Sequence, residues 1–493
     1  MNKIKNFSFV FTAASALQLQ AQPKPNIVFF LADDLGWTDL ACYGSKFYET
    51  PNIDQLAREG MLFTDAYAAC PVSSPTRAAF QTGRYPARVG VTDWIKGHQY
   101  EKNYMEKITK LCPVLPAENL FNLPLSEITI AEALKTNGYK TAHIGKWHLA
   151  IDSIMFPQYQ GYGINIAGCA KGSPVSEGGG SYFTPYNNPY LSDGLIGEYL
   201  TDRLGDECVK IIQKYKDSPF FISFPFYQVH APLLAKPDKE KYFKEKAHRM
   251  GLDTLQAFNN HPAWAAKEDI KANYRERIVQ NNATYAAMIA SMDENVGKVI
   301  AELKRLGLYE NTLIVFTSDN GGVSTGEGYA TSNLPLKGGK GFMYEGGIRE
   351  PLIAVWKNHI ASGVKSKTVV STVDFYPTFL EVTKTTKPND ATLDGQSILP
   401  ALQGKKQNRG AIYWHYPHYH PLGARPASAI RKGDYKLIEF LDNGDVELYN
   451  LRKDSSETNN LAISNRKLAV KMLAQLKHWR ASVRAKMPTK NIK

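Results

Sequence analysis

"NIVFFLADDLG", residues 26–36, is an apolar run that ends on two aspartates. A stretch from Ile27 to Ala32 with no polar face suits a strand buried on both sides, as in a parallel sheet covered by helices. The next segment agrees with that reading. "TPNIDQLAREG" (50–60) predicts a helix with Thr50 as N-cap, Pro51 in the first turn and Gly60 as the stop.

The alternation continues along the chain. Helix "IAEALKTNG" (130–138) precedes strand "KTAHIGKWH" (140–148), and helix "YLTDRLGDECVKIIQKY" (199–215) precedes strand "PFFISFPFYQVH" (219–230). The long helix "YAAMIASMDENVGKVIAELKRLG" (285–307) precedes strand "TLIVFTSDNGG" (312–322). Repeated β and α units of this kind predict an α/β fold: a large, mainly parallel sheet with helices on both faces. Ligands in such sheets bind beyond the carboxyl ends of the strands. Those ends carry Asp33 and Asp34, Lys146 and His148, His230, and Asp319 with Asn320.

After about residue 405 the texture changes. "AIYWHYPHYHP" (411–421) and "SAIRKGDYKLIEFLDNGDVELYNL" (428–451) alternate, "DNGD" marks a hairpin, and a helix comes after them around 467–487. The expected division is a leader at 1–22, a catalytic domain at 23–405 and a small C-terminal α+β domain with an antiparallel sheet at 406–493. The leader, "MNKIKNFSFVFTAASALQLQAQ", has two lysines, a short apolar run and a small-residue end, the pattern of a secretory signal peptide. No other uncharged run approaches the length of a membrane span, so an exported chain, periplasmic or secreted and without stable membrane insertion, is expected.

The 493 residues are 43% hydrophobic and 22% charged, ordinary for a globular protein and opposed to a fibrous or disordered one. Five cysteines form no metal-ligand spacing, and the odd number leaves at least one thiol free. The formal charge of +12 would suit nucleic acid, but no Arg-rich run or aromatic RNA-binding motif accompanies it. No nucleic-acid partner is expected. Sulfated or carboxylated glycans fit a basic exported surface better.

"CPVSSPTRAAFQTGRYP" (70–86) offers a cysteine and two serines before a helix whose N-terminus would stabilise an anion. Its segment "SSPTRAAFQTGR" resembles the signature of the formylglycine-dependent sulfatases: Cys or Ser, Pro two positions on, Arg four positions on, and a Thr-Gly-Arg ending. Ser73 is in register with Pro75, Arg77 and Thr82 to Arg84; Cys70 and Ser74 are not. "ADDLG", "GKWHL", "QVHAP", "SDNGG" and "KGGKGFMYEGGIREP" are similar to further sulfatase segments, so the resemblance runs over about residues 25–360.

That resemblance implies an alkaline-phosphatase-like sulfatase fold and a sulfuric ester hydrolase. It implies that Ser73 becomes formylglycine (3-oxoalanine) through a sulfatase-maturing enzyme of the bacterial radical type, and that the hydrated aldehyde is the nucleophile of covalent sulfoenzyme catalysis with S–O cleavage. Asp33, Asp34, Asp319 and Asn320, with Ser73, would hold one divalent cation. Oxygen-only donors suit calcium, with magnesium the second candidate. Arg77 would steady the nucleophile, and Lys146 and Lys340 would bind sulfate oxygens; Lys340 is preferred to Lys337 because it is in register with the "YEGG" motif. His230 is the expected general acid and His148 the expected base, with exchange of roles or sharing with Lys340 left open.

Two alternatives belong to other classes: a phosphate mono- or diester hydrolase of the same superfamily, and an exported glycan-binding protein without catalysis. The expected substrate is a carbohydrate sulfate, with sulfated galactose or N-acetylgalactosamine leading. Trp94, His98, His418, His420 and Arg425 are candidate sugar contacts on loops 92–104 and 415–425. Trp264 is a further candidate for stacking.

Overall fold

The structure is a computed structural model describing residues 24–97, 102–176, 178–260, 275–389 and 391–492. The leader, His98 and Trp264 lie outside the described residues.

In chain order the first unit is β1 (Asn26–Ala32), α1 (Pro51–Glu59), β2 (Met61–Tyr67) and α2 (Ser73–Thr82). Then come α3 (Ile130–Thr136), β3 (Lys140–Ile144), β4 (Ile164–Ile166), α4 (Leu200–Tyr215) and β5 (Phe220–Pro225). The last unit is α5 (Ala283–Arg305), β6 (Thr312–Ser318), β7 (Arg349–Val355), β8 (Val364–Ser366), β9 (Val370–Ser371) and α6 (Phe375–Thr383). The nine strands form one sheet in the order β8-β2-β7-β6-β1-β5-β3-β4, with β9 also on β2. Pairings are parallel except at β7, which runs antiparallel to both β2 and β6. The fold is therefore α/β and mainly parallel, with one reversed strand that the apolar pattern of "REPLIAV" did not reveal.

Both faces are covered. Val28 and Phe30 of β1 pack with residues of α1, α4 and α5, while Ile27, Phe29 and Leu31 pack with α2, α3 and α6. This is why β1 reads as continuously apolar rather than alternating. Phe29 stacks on Phe80 of α2 with ring centroids 4.0 Å apart, and burying each such ring contributes about 2 kcal/mol. Thr50 precedes α1 as expected but does not cap it with its side chain: its hydroxyl donates to Asp54 and accepts from the Ala41 amide. All five cysteines are free thiols.

A small antiparallel sheet lies beyond them in the chain: β10 (Ile412–Tyr416), β11 (Ala427–Lys432), β12 (Tyr435–Phe440) and β13 (Val446–Asn450), with α7 (Arg466–Ser482) against it. Ile430, Leu437 and Leu448 bury against Met472, Leu476 and Trp479 of α7, and the same cluster takes in Ala79, Tyr85 and Ala87. Trp479 meets Tyr85 edge-on at 5.3 Å, and Trp414 donates from Nε1 to the Ala68 carbonyl at 2.8 Å. The small sheet thus buttresses the segment that carries Ser73.

Candidate active site

The carboxyl ends of β1 and β6 set the floor of the site. Parallel register aligns Ala32 with Ser318, so the next residues, Asp33 and Asp319, emerge side by side. Asp34 comes next with a left-handed φ of 62°, and its amide donates to Asp319 Oδ1 at 3.2 Å. Ligand oxygens of Asp33, Asp34 and Asp319 lie within 4.8 Å of one another, and all three residues are fully buried. Asn320 donates from Nδ2 to Asp34 Oδ1 at 2.8 Å.

Helix α2 delivers Ser73 to this floor. Every residue of the helix is buried, and Ser73 stands in its first turn. Its Oγ lies 3.1 Å from Asp33 Oδ1 and 3.3 Å from Asn320 Oδ1. The Thr-Gly-Arg ending has a packing role: Gly83 turns left-handed at φ 66°, where a Cβ would lie 2.8 Å from Tyr376 Cβ and 2.9 Å from Leu393 Cδ2. Arg84 then pairs with Glu127 at 2.7 Å.

Arg77, one turn beyond Ser73, donates to Asp319 Oδ2 from Nε and Nη2 at 3.0 and 2.6 Å. Lys146 Nζ sits 2.6 Å from Asp33 Oδ2, and both side chains are fully buried. It reaches there because Gly145 lets the chain after β3 pass tightly over β5; a Cβ on Gly145 would lie 1.9 Å from the Pro225 carbonyl oxygen.

Burial governs the electrostatics. It pushes Asp33 up, against the pull of Lys146, and pushes Lys146 down. Burial also acts on Asp34 and Asp319, but Lys340 with His230 for the first, and Arg77 with Lys146 for the second, hold them below the usual carboxylate range. A buried carboxylate cluster whose Asp33 is driven toward neutrality is short of positive charge. An all-oxygen donor set in that state fits a hard divalent cation.

The two histidines have defined proton positions. His148 Nε2 lies 3.1 Å from the Ile95 carbonyl, which can only accept, so the proton is on Nε2 and Nδ1 carries a buried lone pair with no partner among the described residues. His230 donates from Nδ1 to the Ala231 carbonyl, which leaves Nε2 to accept from the Lys340 ammonium at 3.1 Å. Burial and Lys340 push His230 down to about 4, and burial and Lys146 hold His148 well below its ordinary value. Lys340 also touches Asp34 at 3.0 Å and Glu327 at 2.9 Å; its acidic neighbours outweigh burial and raise its pKa.

Above these groups opens a cavity of about 720 Å³, with Ser73, His148, His230 and Lys340 on its wall. Trp94 and His420 line it as well. Two expected sugar contacts do not. His418 is buried with Nε2 on the Thr92 hydroxyl at 2.9 Å, and Arg425 is held by Asp442 in a two-point pair at 2.8 and 2.6 Å. Lys337 sits over the Tyr344 ring and donates to the Glu457 carbonyl at 3.3 Å, and it is not on the cavity wall. Glu327 is a wall residue that the sequence reading missed. The signal was available as an acid flanked by glycines in "TGEGY", close after "SDNGG".

Comparison with known proteins places this geometry. The "Sulfatase" family model matches residues 25–385, and a model described as "N-sulphoglucosamine sulphohydrolase, C-terminal" matches residues 339–484. A sulfatase of Formosa agariphila is 32% identical, covering 95% of this chain and 90% of its own. The N-acetylgalactosamine-6-sulfatase of Rattus norvegicus is 31% identical, covering 82% of this chain and 71% of its own. The crystal structure of Ps i-CgsB in complex with k-i-k-neocarrahexaose matches with a TM-score of 0.72 and 29% identity over 92% of each chain. With the matched model spanning most of its length, this chain belongs to the sulfatase family, the enzymes that hydrolyse sulfuric esters.

Proposed function

We propose that this protein removes sulfate from a carbohydrate, with Ser73 as the position of the nucleophile. The observation that carries the reading is the placement of Ser73 Oγ, in the first turn of a buried helix, within 3.3 Å of both Asp33 and Asn320 and on the wall of the cavity. Conversion of Ser73 to formylglycine by a maturing enzyme supplies a hydrated aldehyde whose hydroxyl attacks sulfur. Asp33, Asp34, Asp319 and Asn320, with the oxygen at position 73, would hold calcium, or magnesium in its place. When bound, the cation lowers the pKa of the attacking oxygen and neutralises charge on the sulfate.

The remaining work falls to side chains. Arg77 fixes Asp319 and faces the attacking oxygen from the same helix. Lys146 and Lys340 hold sulfate oxygens as point charges. His148 takes a proton at Nδ1, the nitrogen that its Ile95 contact leaves unprotonated. The proton for the leaving sugar oxygen comes from the His230 and Lys340 couple, because His230 Nε2 accepts from the ammonium in the resting site.

The phosphoester alternative calls for a second metal. Asp34, His230 and Glu327 are close enough to hold one, but the Lys340 ammonium already stands within 3.1 Å of an acceptor atom on each. Sulfated galactose or N-acetylgalactosamine is the proposed sugar, supported by the relatives whose names carry N-acetylgalactosamine and by the structure bound to a neocarrahexaose. The leader-like first residues support export to the periplasm or the medium. Inorganic sulfate release from sulfated galactosides by the matured, calcium-loaded protein, run beside phosphate esters of the same sugars, tests the reading. Phosphate release exceeding sulfate release would reverse it.

A further inference from the structure

Glu327 enters the cavity on an unusual turn. Gly326, Glu327, Gly328 and Tyr329 take left-handed φ values of 69°, 41°, 85° and 48° in succession, a backbone that is costly outside glycine. The strained loop brings the carboxylate into the cavity wall, where Oε2 accepts from Lys340 at 2.9 Å. The side chain remains 35% exposed, so it faces open cavity rather than sealed core. Among the described residues Oε1 takes no hydrogen bond.

This placement bears on substrate choice, and the inference rests on the sulfatase reading of the cavity. If Lys340 holds a sulfate oxygen, Glu327 lies just across one ammonium from the ester. An anionic substituent on the neighbouring ring carbon would meet a fixed carboxylate at short range and be repelled. A hydroxyl there would donate to Oε1, and a hydrogen bond to a charged acceptor is about twice as strong as a neutral one. We propose that Glu327 is a specificity-determining residue: it accepts a hydrogen bond from the hydroxyl beside the sulfate ester and excludes a second anion from that position. The substrate class is then a monosulfated sugar ring with a free neighbouring hydroxyl, rather than a vicinal disulfate or a ring bearing an adjacent carboxylate.

The test compares matured, calcium-loaded wild type with Glu327→Gln, a near-isosteric change. Substrates are the best-cleaved galactose monosulfate, the disulfate carrying a second ester on the neighbouring oxygen, and 4-nitrophenyl sulfate. Wild type should prefer the monosulfate by about 100-fold or more in kcat/KM. In Glu327→Gln the monosulfate should lose about 10- to 100-fold while the disulfate holds or gains, so the ratio collapses. Glu327→Ala should shift the ratio the same way, which keeps the test informative if either variant folds poorly. Equal cleavage of both sugars by wild type, or an unchanged ratio in the variants, overturns the assignment. If matured wild type releases sulfate from none of the three, the sulfatase reading fails first and the Glu327 assignment falls with it.

Discussion

Lys340 Nζ donates to Nε2 of His230 across 3.1 Å, and the other ring nitrogen is committed to the Ala231 carbonyl. The ring is therefore neutral at rest, and the shared proton stays on the lysine. A couple of this kind matters most when the departing oxygen is a poor leaving group. His230→Gln should lower kcat for a sulfated galactoside by about 100-fold or more, the usual worth of general acid catalysis. On 4-nitrophenyl sulfate, whose phenolate leaves unaided, the loss should stay below about 10-fold. Equal losses on the two substrates would remove His230 from proton transfer.

Asp319 ties the buried carboxylate cluster to Arg77. A divalent cation at 100 times its Kd should stabilise the wild type by about 2.7 kcal/mol, read as a calcium-dependent rise in Tm. Asp319→Asn should abolish that rise. It also strips the buried Arg77 of its nearest carboxylate, at 2.6 Å, and breaking a buried pair costs about 3–5 kcal/mol. A full calcium-dependent shift in the variant would take Asp319 out of the site.

Lys436 on β12 is buried between Glu345, at 3.0 Å, and Glu457, at 2.9 Å. Glu345 opens the short helix Glu345–Ile348 just after Lys340 in the chain, so this triad links the small sheet to the site. Lys436→Met removes the cation between the two carboxylates and leaves Arg349, 3.5 Å from Glu345, to offset them. We expect a loss of about 3–5 kcal/mol, measured from the urea midpoint with unchanged m. A midpoint within about 0.5 kcal/mol of wild type would show that the triad is not a clamp.

His415 gives stability a pH dependence. Its ring donates from Nε2 to the Lys486 carbonyl and accepts at Nδ1 from the Ser428 hydroxyl. Burial pushes its pKa down to about 4. The unfolded imidazole titrates near 6.5, so between about pH 6.5 and 4 the unfolded chain binds the extra proton, and stability falls as pH falls. The stability gap between wild type and His415→Asn should narrow by about 3 kcal/mol from pH 7 to pH 4. A gap that is constant with pH would contradict the buried neutral ring.

Much of the fold was legible because β1, β5 and β6 are covered on both faces and so read as continuous apolar runs. The strand β7 escaped because a buried antiparallel strand inside a parallel sheet has the same apolar pattern as its neighbours. The site was legible where chemistry sits at strand ends: Asp33, Asp34, Lys146, His148, His230, Asp319 and Asn320 come together as topology predicts. The rest of the cavity wall was not. His418 and Arg425 look like ligands in a histidine-rich loop, yet Thr92, distant in sequence, and Asp442, beyond the next two strands, engage their side chains. Glu327 was missed for the opposite reason: its flanking glycines mark the turn, but only the fold brings that loop acid against Lys340.

The most direct test concerns the side chain at position 73. Samples matured to different extents, from none to complete, should be analysed by peptide mass spectrometry for loss of two hydrogens at Ser73, and each assayed for sulfate release after loading with calcium. Activity should rise in proportion to the converted fraction and be absent with Ser73 unmodified. Full sulfate release from a sample in which Ser73 is wholly serine would contradict the assignment of the nucleophile.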